Sequence, residues 1–152
     1  MENGIVQPDI HISFLAIGIA VVAHFIFGFL WYTPLFGKVW AKEMGFSKDM
    51  EVPKGMMAKS LIINLIGNFL LAWVLSHNIA AWDPHSWGYH SDFMPPAASA
   101  ITSAVFTWIG FFVPQGLNDS TWGMKSWKVF FINTSYQLLA LLIVSFILVF
   151  VK

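Results

Sequence analysis

Four amides, one histidine and two aromatic residues are the side chains best placed to do chemistry in an otherwise oily sequence. The stretch "KSLIINLIGNFLLA" carries Asn64 and Asn68, and "KVFFINTSYQLLA" carries Asn133 and Gln137, each pair four residues apart. That spacing sets both members of a pair on one helical face. An amide offers donors and an acceptor together, which suits a polar pocket or passage for a small polar solute or ion. The plainer role is interhelical glue, at about 0.6 kcal/mol per hydrogen bond in membranes. Both readings stay open on sequence alone. His24, well inside a hydrophobic run, could relay a proton or hold a ligand, or could sit as a neutral, hydrogen-bonded core histidine. No Asp, Glu, Lys or Arg stands at its depth to act as a partner. Trp31 and Tyr32 either wall the same site or belong to an interfacial aromatic belt.

A second group of candidates lies in "DPHSWGYHSD", where Asp83, His85, His90 and Asp92 are weak metal candidates. Their spacing fits no zinc pattern, so a solvated loop is the expectation. The sequence holds no nucleophile–base pairing, phosphate-binding glycine loop or metalloenzyme motif, and therefore no catalytic residue. An enzyme is not expected, nor a cofactor. Cysteine is absent, which excludes disulfides and thiol chemistry. With no arginine and a formal net charge of zero, nothing points to nucleic acid.

The elements that must position these groups follow from composition. The 152 residues are 57% hydrophobic and 11% charged, with a mean hydropathy of +0.68, too apolar for a water-soluble domain. All sixteen charged residues fall outside four intervals, 10–37, 60–82, 93–118 and 129–151, of 28, 23, 26 and 23 residues. Each interval exceeds the roughly 20 residues that a membrane helix needs. Lipid cannot satisfy open backbone, and the intervals lack the short alternation of a barrel strand, so helices are expected. Residues 1–152 read as one transmembrane domain, with helices at about 12–33, 57–80, 96–114 and 127–150. Pro34 and Pro114 stop the first and third of these, and Pro95-Pro96 starts the third. Phe36, Val39, Trp40 and Met44 at helical spacing predict a short interfacial helix at about 36–45, with Gly45 as its cap, followed by a polar loop at 47–55. Small-residue stripes, Ala16, Ala20, His24 and Gly28 in the first helix and Ser99, Ser103, Thr107 and Gly110 in the third, predict close helix approach.

Seven of the eight lysines flank the 34–56 and 115–126 loops, and only Lys152 lies opposite. The positive-inside rule makes those loops cytoplasmic and places both termini outside the cell membrane. The N-terminal nine residues carry Glu2 and Asp9 and no lysine, unlike a secretory signal, so the first helix should stay attached.

Lys59, Asn64 and Asn68 match Lys128, Asn133 and Gln137 at a constant offset of 69, and both preceding helices place Gly-Phe shortly before a proline. This predicts a duplicated hairpin. Both copies begin outside, so the repeat is parallel, with a pseudo-twofold axis along the membrane normal. The expected fold is thus an all-α integral membrane four-helix bundle of two repeated hairpins, with a short interfacial helix after the first span. The expected function is a small channel or transporter for a small polar solute or ion, its amide-lined site in the cytoplasmic half. The alternative is a non-catalytic structural or accessory subunit. The bilayer is the first partner, and a homo-oligomer or a larger membrane complex the next, because four short helices enclose little space.

"GFLWYTPLFGKVWAKEMGF" at 28–46, with "TWIGFFVPQGLN" and "FFINTSYQLLALL", resembles the small membrane family of bacteria and fungi catalogued as domain of unknown function 1761. The resemblance covers nearly the whole chain. It falls on Gly28, Trp31, Tyr32, Pro34, Phe36, Gly37, Lys38 and Trp40, and on Asn133, Tyr136 and Gln137. It marks those positions without implying an activity.

Overall fold

The computed structural model describes residues 7–46 and 53–151. Four helical rods are long and apolar enough to cross a membrane, and no strand occurs among the described residues. The first rod joins α1 (Phe14–Leu30) to a π-helical turn, Trp31–Leu35, and the short helix α2 (Gly37–Glu43) follows. The second is α3 (Lys54–Trp82), after which Pro84–Trp87 forms a 3₁₀ turn. The third runs through α4 (Pro96–Thr107), a second π-helical turn at Trp108–Phe112 and α5 (Val113–Thr121). The fourth is α6 (Trp127–Phe150). The polar loop read at 47–55 lies partly outside the described residues, as do Glu2 and Lys152.

Local chemistry sets most of these boundaries. The Ser13 hydroxyl accepts from the Ala16 N–H at 3.2 Å, and the Ser126 hydroxyl from the Val129 N–H at 3.3 Å, capping α1 and α6. Pro96 opens α4, where its missing N–H is no loss. Gly45 takes the left-handed conformation at φ +76° and turns the chain after α2.

The prolines act differently from the sequence expectation. Helix 1 runs past Pro34, and the third rod runs past Pro114 to Thr121. In the first case the backbone widens, and the Phe36 N–H reaches the Trp31 carbonyl five residues back at 2.9 Å, so the proline is absorbed in a π turn. In the second, a π turn comes first and Pro114 stands in the opening turn of α5, which tolerates it.

α6 is the central rod, packed on α1, α4, α5 and α3, while α1 also packs on α3. At the end away from the lysines, Ile17, Ala20, Ala72, Leu75, Ala104, Leu141 and Val144 form one buried cluster drawn from all four rods. Ala16, Ala20 and His24 of the first small stripe are buried as expected. In the third rod, Ala100 and Ala104 make the close approach. Ser99, Ser103 and Thr107 flank it, half-buried, and Gly110 is exposed. Alanine brings backbones close without an alcohol to satisfy.

Candidate functional site

At the lysine-bearing end, a second buried cluster joins α1 and α6. It consists of Trp31, Ile132, Tyr136 and Ala140, with Phe27, Tyr32, Phe36 and Trp40 packed against it. Tyr136 is the hub. Its ring stacks on Phe27 at 5.5 Å and meets Tyr32 edge-on at 4.9 Å, within the range of favourable aromatic pairs. Gly28 makes this possible, because a Cβ there would stand 2.8 Å from the Tyr136 hydroxyl oxygen. Gly37 is needed just as directly, since its Cβ would lie 2.6 Å from the Tyr32 carbonyl oxygen.

Three polar bonds fasten α6 to the π turns. The Trp31 indole N–H donates to the Ile132 carbonyl at 3.2 Å, and that of Trp108 to the Thr134 carbonyl at 2.8 Å. The Tyr32 hydroxyl donates to the Asn133 side-chain oxygen at 3.0 Å. Outside the span, Lys128 pairs with Glu43 at 3.0 Å and ties α2 to the start of α6. The Ser126 hydroxyl and then the Lys128 ammonium hold the Glu43 carboxyl below its ordinary value.

The two amide pairs do not share one environment. The Asn68 amide N–H donates to the Asn64 oxygen at 3.2 Å, a bond within a single helix. Asn68 is buried, but Asn64 is exposed, as is every residue of α3 from 55 to 67. Asn133 and Gln137, by contrast, line a half-open cavity of about 240 Å³ between α5 and α6. Its other polar walls are Gln115, Ser120 and Thr134, with Asp119 and Lys125 paired at 2.6 Å. Gly116 leaves room for Phe130 and the Thr134 methyl, which would lie 3.1 and 3.2 Å from an added Cβ.

Asn68 and Gln137 nevertheless hold equivalent places. Asn68 is one turn before Ala72, and Gln137 one turn before Leu141, and those two apolar residues belong to the same dry cluster. The two amides therefore stand at the lysine-side edge of that cluster.

His24 is 4% exposed, and neither ring nitrogen has a hydrogen-bond partner. Its ring lies 5.8 Å from that of Tyr136. The Trp40 indole N–H is likewise buried without a partner. In the loop after α3, the His85 ring nitrogen lies 3.0 Å from Asp83 and 3.4 Å from Asp92, with all three side chains exposed. His90 is not part of this group.

A family model matches residues 15–149, and its description is protein of unknown function (DUF1761). The chain belongs to this family. No curated protein and no solved structure matches it.

Two of the three segments that carry the family resemblance prove to be the two sides of one contact, although Tyr32 and Asn133 are 101 residues apart. Gly28 meets Tyr136, Trp31 meets Ile132, Tyr32 meets Asn133, and the rings of Phe36 and Trp40 close over Trp31 and Tyr32 at 4.5 and 5.4 Å. Sequence reasoning missed Tyr136 as the hub, the pinning role of Trp108 and the cavity wall formed by Asp119, Ser120 and Lys125. Tyr136 stood inside the resembling segment. The cavity wall carries no signal of its own, because Pro114 reads in sequence as the end of its helix.

Proposed function

We propose that the protein is a small channel or transporter that admits a small polar solute or ion into a vestibule at its lysine-bearing end, the cytoplasmic side, with both termini outside. The cavity between α5 and α6 carries this reading. Hydroxyl and amide groups line it beside Phe112, Val129 and Phe130, its one ion pair is internally neutralised, and about 240 Å³ accommodates a solute of a few heavy atoms. Beyond Gln137, α6 is apolar apart from Ser145, so passage through the remaining half needs a movement of α3 or a second copy of the chain.

The test is flux of glycerol and urea into proteoliposomes, followed by light scattering. Asn68→Leu with Gln137→Leu should abolish flux above that of empty liposomes while the protein stays folded. Flux that survives the double change, or no flux with the unmodified chain, would count against the reading.

One observation favours the accessory-subunit alternative. A helix exposed all round from 55 to 67, with Asn64 at membrane depth, has an amide whose only partner among the described residues is in its own helix, and a neighbouring protein would complete it. Purification in mild detergent separates the cases, since larger subunits would co-purify under this alternative. We also read the chain as a duplicated hairpin. The first and third rods each contain a π turn that opens on a tryptophan, which supports a common origin for the two rods.

A further inference from the structure

A buried imidazole ordinarily donates from one nitrogen and accepts at the other. His24 does neither, although both nitrogens are wholly buried. Such groups are uncommon in native structures, and a catalytic or ion-binding role is one of the reasons they are kept. With no accessible surface at either nitrogen, nothing larger than a proton can bind without a movement of the helices.

The surroundings connect this residue to the vestibule. From α6 comes Tyr136, with its ring 5.8 Å away. From the π turn that extends α1 comes Tyr32, whose ring is 4.9 Å from that of Tyr136 and whose hydroxyl donates to Asn133 at 3.0 Å. Asn133 is itself a wall of the cavity. α3 and α4 bring no ionisable side chain at this depth, since residues 60–76 and 96–107 contain none.

We propose that His24 is a proton-binding site coupled to the vestibule through Tyr136, Tyr32 and Asn133, which makes solute passage proton-linked. The coupling rests on the vestibule reading, whereas the proton site does not. The step is a proton transfer alone. A hydronium ion in the vestibule becomes water, and neutral imidazole becomes imidazolium. No hydrogen bond joins His24 to Tyr136, so the proton arrives when the α1–α6 seam opens, and the two tyrosines couple the sites by packing alone. No carboxylate neutralises the cation, and only the ring of Tyr136, 5.8 Å away, offers partial compensation. The protonated state is therefore costly in this arrangement and biases the α1–α6 seam towards a second one.

Two measurements test this. In bilayer nanodiscs with ¹⁵N-labelled histidine, the His24 signals, identified by their loss in His24→Gln, should pass from the neutral to the protonated form as the pH is lowered. A His24 that stays in one state throughout would overturn the proton site, and this readout needs no solute. For the coupling, Gln137→Cys is labelled with a water-soluble thiol reagent with and without His24→Gln, and the ratio of the two rates cancels the pH dependence of the thiol itself. That ratio should shift severalfold between pH 8 and 5.5. A constant ratio would overturn the coupling, while a thiol that never reacts would instead overturn the vestibule. Should His24→Gln fail to fold, Tyr136→Phe replaces it in the labelling series, and His24 is identified in a chain whose other four histidines, His11, His77, His85 and His90, are replaced by glutamine.

Discussion

The two amide pairs share spacing and a flanking lysine but live in different surroundings. Asn133 and Gln137 sit on the central helix, where Tyr32 holds the first and a polar cavity meets both. Asn64 and Asn68 sit on α3, where they have each other. The difference teaches that spacing fixes which residues share a face and not what that face meets. What α6 has and α3 lacks at this end is the aromatic clamp that draws α1 and α2 onto it.

The largest effect should come from wedging the clamp open. Gly28→Ala puts a methyl group 2.8 Å from the Tyr136 hydroxyl oxygen and should lower stability by about 1–3 kcal/mol in a thermal melt. In a Tyr136→Phe background most of that loss should vanish, because the clashing oxygen is gone. An equal loss in both backgrounds would mean that the clamp is not what closes this seam.

Removing one hydrogen bond should matter less. Trp31→Phe frees the indole bond to the Ile132 carbonyl and should cost on the order of 1 kcal/mol. Tyr32→Phe should cost about 0.6 kcal/mol and leave Asn133 free to turn into the cavity. Asn64→Leu, the corresponding change on α3, should leave the melt almost unaltered. If it cost as much as Tyr32→Phe, the contrast between the pairs would fail.

The smallest effect concerns Glu43. Its carboxyl is held below the ordinary 4.5, so its contribution is fully present above the unfolded value and is lost as pH falls through the lower folded value. The melting difference between wild type and Glu43→Gln should therefore be present at neutral pH and disappear in acid, below the folded value. A difference that persisted there would point to packing in place of the Lys128 and Ser126 contacts.

The four spans were legible because charge-free runs of this length have one stable form in lipid. The small stripe of the first helix was legible for a similar reason. The π turns were not, because proline announces a lost hydrogen bond without saying whether the helix ends or widens around it. Extending the third rod to Thr121 is what builds the cavity wall, so that one ambiguity hid Asp119 and Ser120 from the candidate site. The amides were found from their types and spacing, while their unequal surroundings depend on where α3 leaves the bundle, which no local pattern records. The mutual contact of Tyr32 and Asn133 was likewise out of reach, since nothing in either segment names its partner.

The central claim, that Gln137 borders a wet vestibule just where the dry core begins, can be tested directly because the chain has no cysteine of its own. Gln137→Cys and Leu141→Cys, one helical turn apart, are exposed in sealed membranes to a water-soluble, membrane-impermeant thiol reagent applied to one side at a time. The account predicts rapid labelling at 137 from the lysine-bearing side only, and none at 141. Equal protection of both positions would contradict it.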